Sequence, residues 1–226
     1  MKNACRKGAI ALKKASLYTL FILIGIIIGI VISNVLYVTT GYSLFSRGAN
    51  QQTSAADISN AELTALAYTA LEYISEGNYQ ALSRITHPEF GVVFSPYATV
   101  ALSTNKCFQA NQIASFGSDS TNYVWGVQEG SGEPIEMTPG DYFAKYILIK
   151  DYLNAPVIGI NRIVKSGNAL ENITEVFPEV KFVDFHVPGG DKDSTEDFDW
   201  SSLRLGFEEY DGKLWLTVIL NSKWTV

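Results

Sequence analysis

From Leu17 to Val38 the chain reads LYTLFILIGIIIGIVISNVLYV, 22 residues without a charged side chain. At about 1.5 Å rise per residue a helix of that length spans roughly 30 Å, the thickness of a bilayer's hydrocarbon core. The run is expected to be a transmembrane helix. A cleaved secretory signal would have an apolar region of about 7–15 residues closed by a small-x-small cleavage site, and neither condition is met cleanly. A lipoprotein signal needs a cysteine just after the apolar run, whereas Cys5 precedes it and the next cysteine is Cys107.

Lys2, Arg6, Lys7, Lys13 and Lys14 precede the run and only Arg47 closely follows it. That bias predicts a single-pass protein of the cell membrane with residues 1–16 in the cytoplasm and everything after Val38 extracytoplasmic. Gly25 and Gly29 have the small-xxx-small spacing that lets two helices approach closely, which gives a homodimer as one expectation; the other is that glycine is simply common in membrane helices. The whole chain holds 17 basic and 23 acidic residues. Taking away the five leading cations leaves 12 against 23, a net charge of −11. Such a domain has the wrong sign for nucleic acid, and none is expected as a partner. With Cys107 alone beyond the membrane run, an intramolecular disulfide is excluded there.

Residues 39–57 are small, polar and aperiodic and read as a linker, with a folded domain over 58–226. Ser59-Asn-Ala-Glu62 has the form of a capping box. Leu63, Leu66, Ala67, Ala70, Leu71 and Ile74 then recur at helical spacing up to Gly77. A shorter helix is expected over NYQALSRITHP, stopped by Pro88. Afterwards the pattern turns β-rich in GVVFSPYATVAL, NYVWGVQ, VKFVDFHV, SSLRLGFEEY and KLWLTVIL, while the aromatics of Thr138–Val164 suggest a helix. The fold class that follows is α+β, with helices packed on one face of a curved, mostly antiparallel sheet.

Asp211-Gly212 is a favoured two-residue hairpin turn, and an unbroken ladder from it pairs Glu208 with Trp215, Gly206 with Thr217 and Arg204 with Ile219. In that register Leu203, Leu205 and Phe207 share a face with Leu214, Leu216, Val218 and Leu220. Trp200, Ser202, Arg204, Gly206, Trp215, Thr217 and Ile219 occupy the other. Apolar walls around a fixed charge suit a ligand pocket, and equally a structural ion pair beneath a loop.

The segments ALEYISEGNYQALSRITHPEFGVVFSPY, YVWGVQEGSGEPIEMTPGDYFAKYI, NAPVIGINRIV and DWSSLRLGFEEYDGKLWLTVILNSKWTV together resemble a group of secreted or membrane-anchored proteins of Gram-positive bacteria. Their segment order looks like the cone-shaped, cystatin-like α+β fold of the nuclear transport factor two-like superfamily. The resemblance implies an extracytoplasmic domain and carries no agreed activity. Such proteins tend to end in histidine-x-x-tryptophan-threonine; here Asn221 stands at the histidine's place.

The leading expectation is a non-enzymatic module that binds a small ligand, a peptide or another envelope protein, with Arg204 as the charged anchor and Trp200, Trp215 and Tyr97 as apolar walls. One alternative is a hydrolase or isomerase with His87 as general base and Asp199 as its partner; the bland role for His87 is to cap the last helical carbonyls. Another is a structural partner in an envelope assembly. Two histidines far apart, without a cysteine pair, argue against a zinc site, and the carboxylate-rich Asp191–Asp199 lacks the glycine and closing glutamate of a calcium loop. No metal and no cofactor are expected. Asn172-Ile-Thr matches a glycosylation acceptor, which carries little weight if the bacterial resemblance holds.

Overall fold

The computed structural model describes residues 55–190 and 198–225. The apolar run with Gly25 and Gly29, residues 39–54 of the expected linker and Asp191–Asp197 lie outside them, while the last three linker positions, 55–57, are helical. Helix α1 spans Ala55–Ser75, so it starts ahead of the capping box at Ser59. Its stripe of Leu63, Ala67, Ala70, Leu71 and Ile74 is fully buried, as the spacing predicts. Gly77, at φ +64°, ends it, and α2 (Tyr79–Arg84) follows with the Asn78 side chain accepting from the Ala81 N–H.

Eight strands follow among the described residues. β1 (Val92–Ser95), β2 (Lys106–Phe108), β5 (Val157–Ile160), β6 (Lys181–Val187), β7 (Ser201–Tyr210) and β8 (Lys213–Lys223) form one sheet in the order β2-β1-β8-β7-β6-β5. The β1–β8 pair is parallel and the other neighbours are antiparallel, so the sheet is mixed and the domain α+β. β3 (Tyr123–Val127) and β4 (Pro134–Met137) make a separate hairpin. Three short helices, α3 (Ala110–Ile113), α4 (Pro139–Tyr142) and α5 (Ile173–Val176), complete the order.

The helix read over Thr138–Val164 is not continuous. It breaks into α4, a π turn at Phe143–Ile147, a single 3₁₀ turn at Tyr152–Asn154, and strand β5. Pro156 keeps the preceding residue out of the helical region, and Val157–Ile160 completes the sheet edge instead.

The hairpin ladder is also interrupted. Tyr210 pairs with Lys213 and Glu208 with Trp215, as the turn dictates, but Gly206 faces Val218 and Arg204 faces Leu220. A bulge inserts Thr217 as an extra residue, which flips the rest of β8 to the other face. Ile219 therefore joins Leu203, Leu205 and Phe207 under α1, while Val218 and Leu220 pack with Val93, Phe182, Ile173 and Phe177 on the opposite face.

That opposite face is covered by the segment from 161 to 180. Asn161, at φ +49°, starts it with its amide oxygen accepting from the Phe182 N–H at 2.8 Å. Asn172 fastens it: its amide exchanges two hydrogen bonds with the Val100 backbone, at 2.8 and 2.9 Å. The amide that sequence reads as a glycosylation acceptor is thus occupied in tying the cover down.

At Gly91 (φ +84°) an added Cβ would lie 2.4 Å from the Phe108 backbone oxygen, where β1 starts beside β2. Gly91→Ala is expected to cost roughly 2 kcal/mol, since left-handed backbone alone costs an L-residue about 1–2 kcal/mol and the strand must also move. A lowered urea midpoint with an unchanged slope is the expected observation.

Candidate functional site

Arg204 is fully buried in the middle of β7. One terminal nitrogen donates to Glu171 Oε2 at 2.6 Å and the other to Asp184 Oδ2 at 3.2 Å. Glu171 comes from the cover, and its second oxygen accepts from Ser222 at 3.0 Å; Asp184 Oδ2 also accepts from the Val164 N–H at 2.9 Å. Burial pushes the Asp184 carboxyl above its usual range, and the facing Arg204 works against that push. The guanidinium is therefore committed to two carboxylates, with Phe182 packed against it at 5.4 Å. It is a structural ion cluster that ties cover to sheet, not an open anchor.

The three aromatic walls do not gather around it. Trp215 is half-buried near the hairpin turn, its indole N–H donating to the Tyr210 carbonyl at 3.0 Å. Trp200 is buried just before β7, against the His186 ring at 5.7 Å and Lys165 at 5.1 Å. Tyr97 packs on Tyr146 at 6.2 Å.

His87 and Asp199 are not brought together either. The His87 ring sits 5.1 Å from the Tyr210 ring, at the last residue of β7, while Asp199 precedes its first. A ten-residue strand at about 3.3 Å per residue puts roughly 30 Å between those ends, beyond any hydrogen bond. His87 Nδ1 accepts the backbone N–H groups of Phe90 and Glu89, at 3.0 and 3.3 Å. It closes a turn as an acceptor, the reverse of donating to helical carbonyls. The Asp199 side chain is 80% exposed and pairs with Lys150 at 2.9 Å.

Asn221 is buried. Its amide donates to the Tyr152 hydroxyl and to Ser201 Oγ, each at 3.0 Å. Burial raises the Tyr152 hydroxyl to about 12, so it stays protonated at any physiological pH.

A third cluster was not singled out by sequence. Lys223 ends β8 on the α1 side of the sheet, and Lys145 belongs to the π turn. Each places its ammonium 5.6 Å from the centre of the Tyr146 ring. Tyr146 stacks on Tyr142 at 5.3 Å, and Tyr142 lies flat on Trp125 at 3.8 Å. Burial, then the nearby Lys145, holds the Lys223 amine below its usual value. Burial, then Tyr97, raises the Tyr146 hydroxyl to about 12. The Tyr142 hydroxyl is buried with no hydrogen-bond partner among the described residues. At the other end of the hairpin, a groove of about 380 Å³ runs between α1 and β8, lined by Ala65, Leu66 and Leu214 with Glu62 and Lys213 at its rim.

No protein-family model matches the chain, and no curated protein matches it.

Proposed function

We propose that this chain is a single-pass membrane protein whose α+β domain faces outward and acts as a binding module, without catalysis of its own. The uncharged 22-residue run with its one-sided cluster of cations carries the reading of address. The separation of His87 from Asp199 along β7 supports binding over general acid–base chemistry. A cystatin-like, nuclear transport factor two-like fold in a Gram-positive envelope, and a dimer through Gly25 and Gly29, belong to the same reading.

Thiol labelling tests the address. Ser103 is exposed, so a Cys5→Ser, Ser103→Cys variant is expected to react with a membrane-impermeant maleimide on intact cells. A Cys107→Ser variant, which retains only Cys5, is expected to react only after permeabilisation. The opposite pattern would place the domain in the cytoplasm and end the proposal.

A further inference from the structure

Four of the described cations stand in two contrasting settings. Arg204 and Lys150 each face a carboxylate. Lys145 and Lys223 each hold the ammonium 5.6 Å from the centre of the same Tyr146 ring, with no carboxylate in salt-bridge reach among the described residues. Lys223 is half-buried, and the charge of Lys145 adds to burial in disfavouring its ammonium form, with no carboxylate among the described residues to offset either. Such an arrangement is unfavourable for the protein alone and becomes favourable when an anion binds beside the charges.

The surroundings fit that occupant. The half-buried Tyr97 and the buried Tyr146 bring hydroxyl donors to the same place, and the unpartnered Tyr142 hydroxyl lies behind them. The ring stack of Trp125, Tyr142 and Tyr146 fixes the platform. Lys145 and Tyr146 are presented by a π turn, a rare distortion that occurs mostly at functional sites. Two cations beside hydroxyl donors make a site for a small oxyanion, which is drawn to the ammonium groups and the hydroxyls and not to the electron-rich ring face.

We propose that Lys145, Lys223, Tyr97 and Tyr146 bind a small oxyanion, the carboxylate or phosphate group of an extracytoplasmic ligand. The site names the ligand class of the binding module and rests on that reading. Its chemistry differs from that of the Arg204 cluster because neither of its cations pairs with a carboxylate among the described residues.

The test uses the full-length chain in detergent micelles. Inorganic phosphate and acetate are titrated separately at constant ionic strength, with chloride as the control, while the melting temperature is followed. Saturable stabilisation is expected from at least one of the two. Phosphate alone assigns a phosphoryl ligand, acetate alone a carboxylate, and both the shared oxyanion chemistry. Lys223→Met and the exposed-site variant Lys145→Met are each expected to weaken binding at least about tenfold, the scale of one charge-assisted hydrogen bond. Tyr97→Phe should weaken it less. Lys145 is on the surface, so its variant folds even if Lys223→Met does not. Equal melting in all three salts, or an anion response that survives in Lys145→Met unchanged, overturns the proposal. The labelling experiment reads topology without any anion, so failure of the site and failure of the membrane reading give different results.

Discussion

Arg204→Ala is expected to lower the stability of the domain by roughly 3–5 kcal/mol, the scale for removing one partner of a buried ion pair. The loss comes less from the bonds removed than from what remains. Asp184 is fully buried, and Glu171 is 11% exposed in its side chain, so the variant would hold two carboxylates side by side with no cation. The pH dependence follows from the direction of the Asp184 shift. A carboxyl whose folded pKa lies above its unfolded one binds more protons when folded, so its contribution to stability falls as pH rises through that window. Without Arg204 the window widens. The gap between variant and native protein should be smallest in mild acid and grow toward neutral pH. Urea midpoints measured at several pH values check this, and a variant with the native midpoint at pH 7 would return Arg204 to the role of ligand anchor. Replacing Arg204, Asp184 and Glu171 together by apolar residues should recover much of the loss, since the desolvation penalty then disappears with the charges.

The α+β class, the amphipathic stripe of α1, five of the eight strands and the hairpin turn were legible from periodicity and turn chemistry. These are local signals, and Leu63 to Ile74 or Asp211-Gly212 carry them within a few residues. The environment of Arg204 was not legible, because its partners Asp184 and Glu171 are 20 and 33 positions away in sequence and meet it only when the cover closes. The bulge at Thr217 escaped for a related reason. An unbroken ladder buries Val218 and Leu220 beneath α1, and the true one buries Ile219 there; both faces of this sheet are apolar at that point, so hydrophobic alternation cannot choose. Lys145 and Lys223 are 78 residues apart by number and look like ordinary surface lysines. Tyr142, Phe143, Tyr146, Ile147 and Tyr152 keep roughly helical spacing and are indeed buried, but Tyr142 ends α4, Phe143, Tyr146 and Ile147 lie in the π turn, and Tyr152 starts a 3₁₀ turn.

The second large effect is expected at Trp125. This side chain is fully buried, lies flat against Tyr142 and meets Phe94 and Phe108 at 5.5 and 5.0 Å. Its indole N–H donates to the Met137 carbonyl at 2.9 Å, which holds the β3–β4 hairpin to its own core. Trp125→Ala would open a cavity among rings too rigid to collapse into it and would leave that carbonyl without its donor. A loss of about 3–5 kcal/mol is expected, whereas Trp125→Phe keeps most of the volume and should lose roughly half as much. The smaller change is the more informative one. It removes the floor beneath Tyr142, so the Tyr146 platform shifts even though the domain stays folded. Trp125→Phe should therefore weaken phosphate or acetate binding together with stability, while Lys145→Met should weaken binding at nearly native stability. Parallel melts and anion titrations of these two variants separate a platform residue from a ligand-contacting one, and equal anion affinity in Trp125→Phe and the native chain would show that the ring stack serves the core alone.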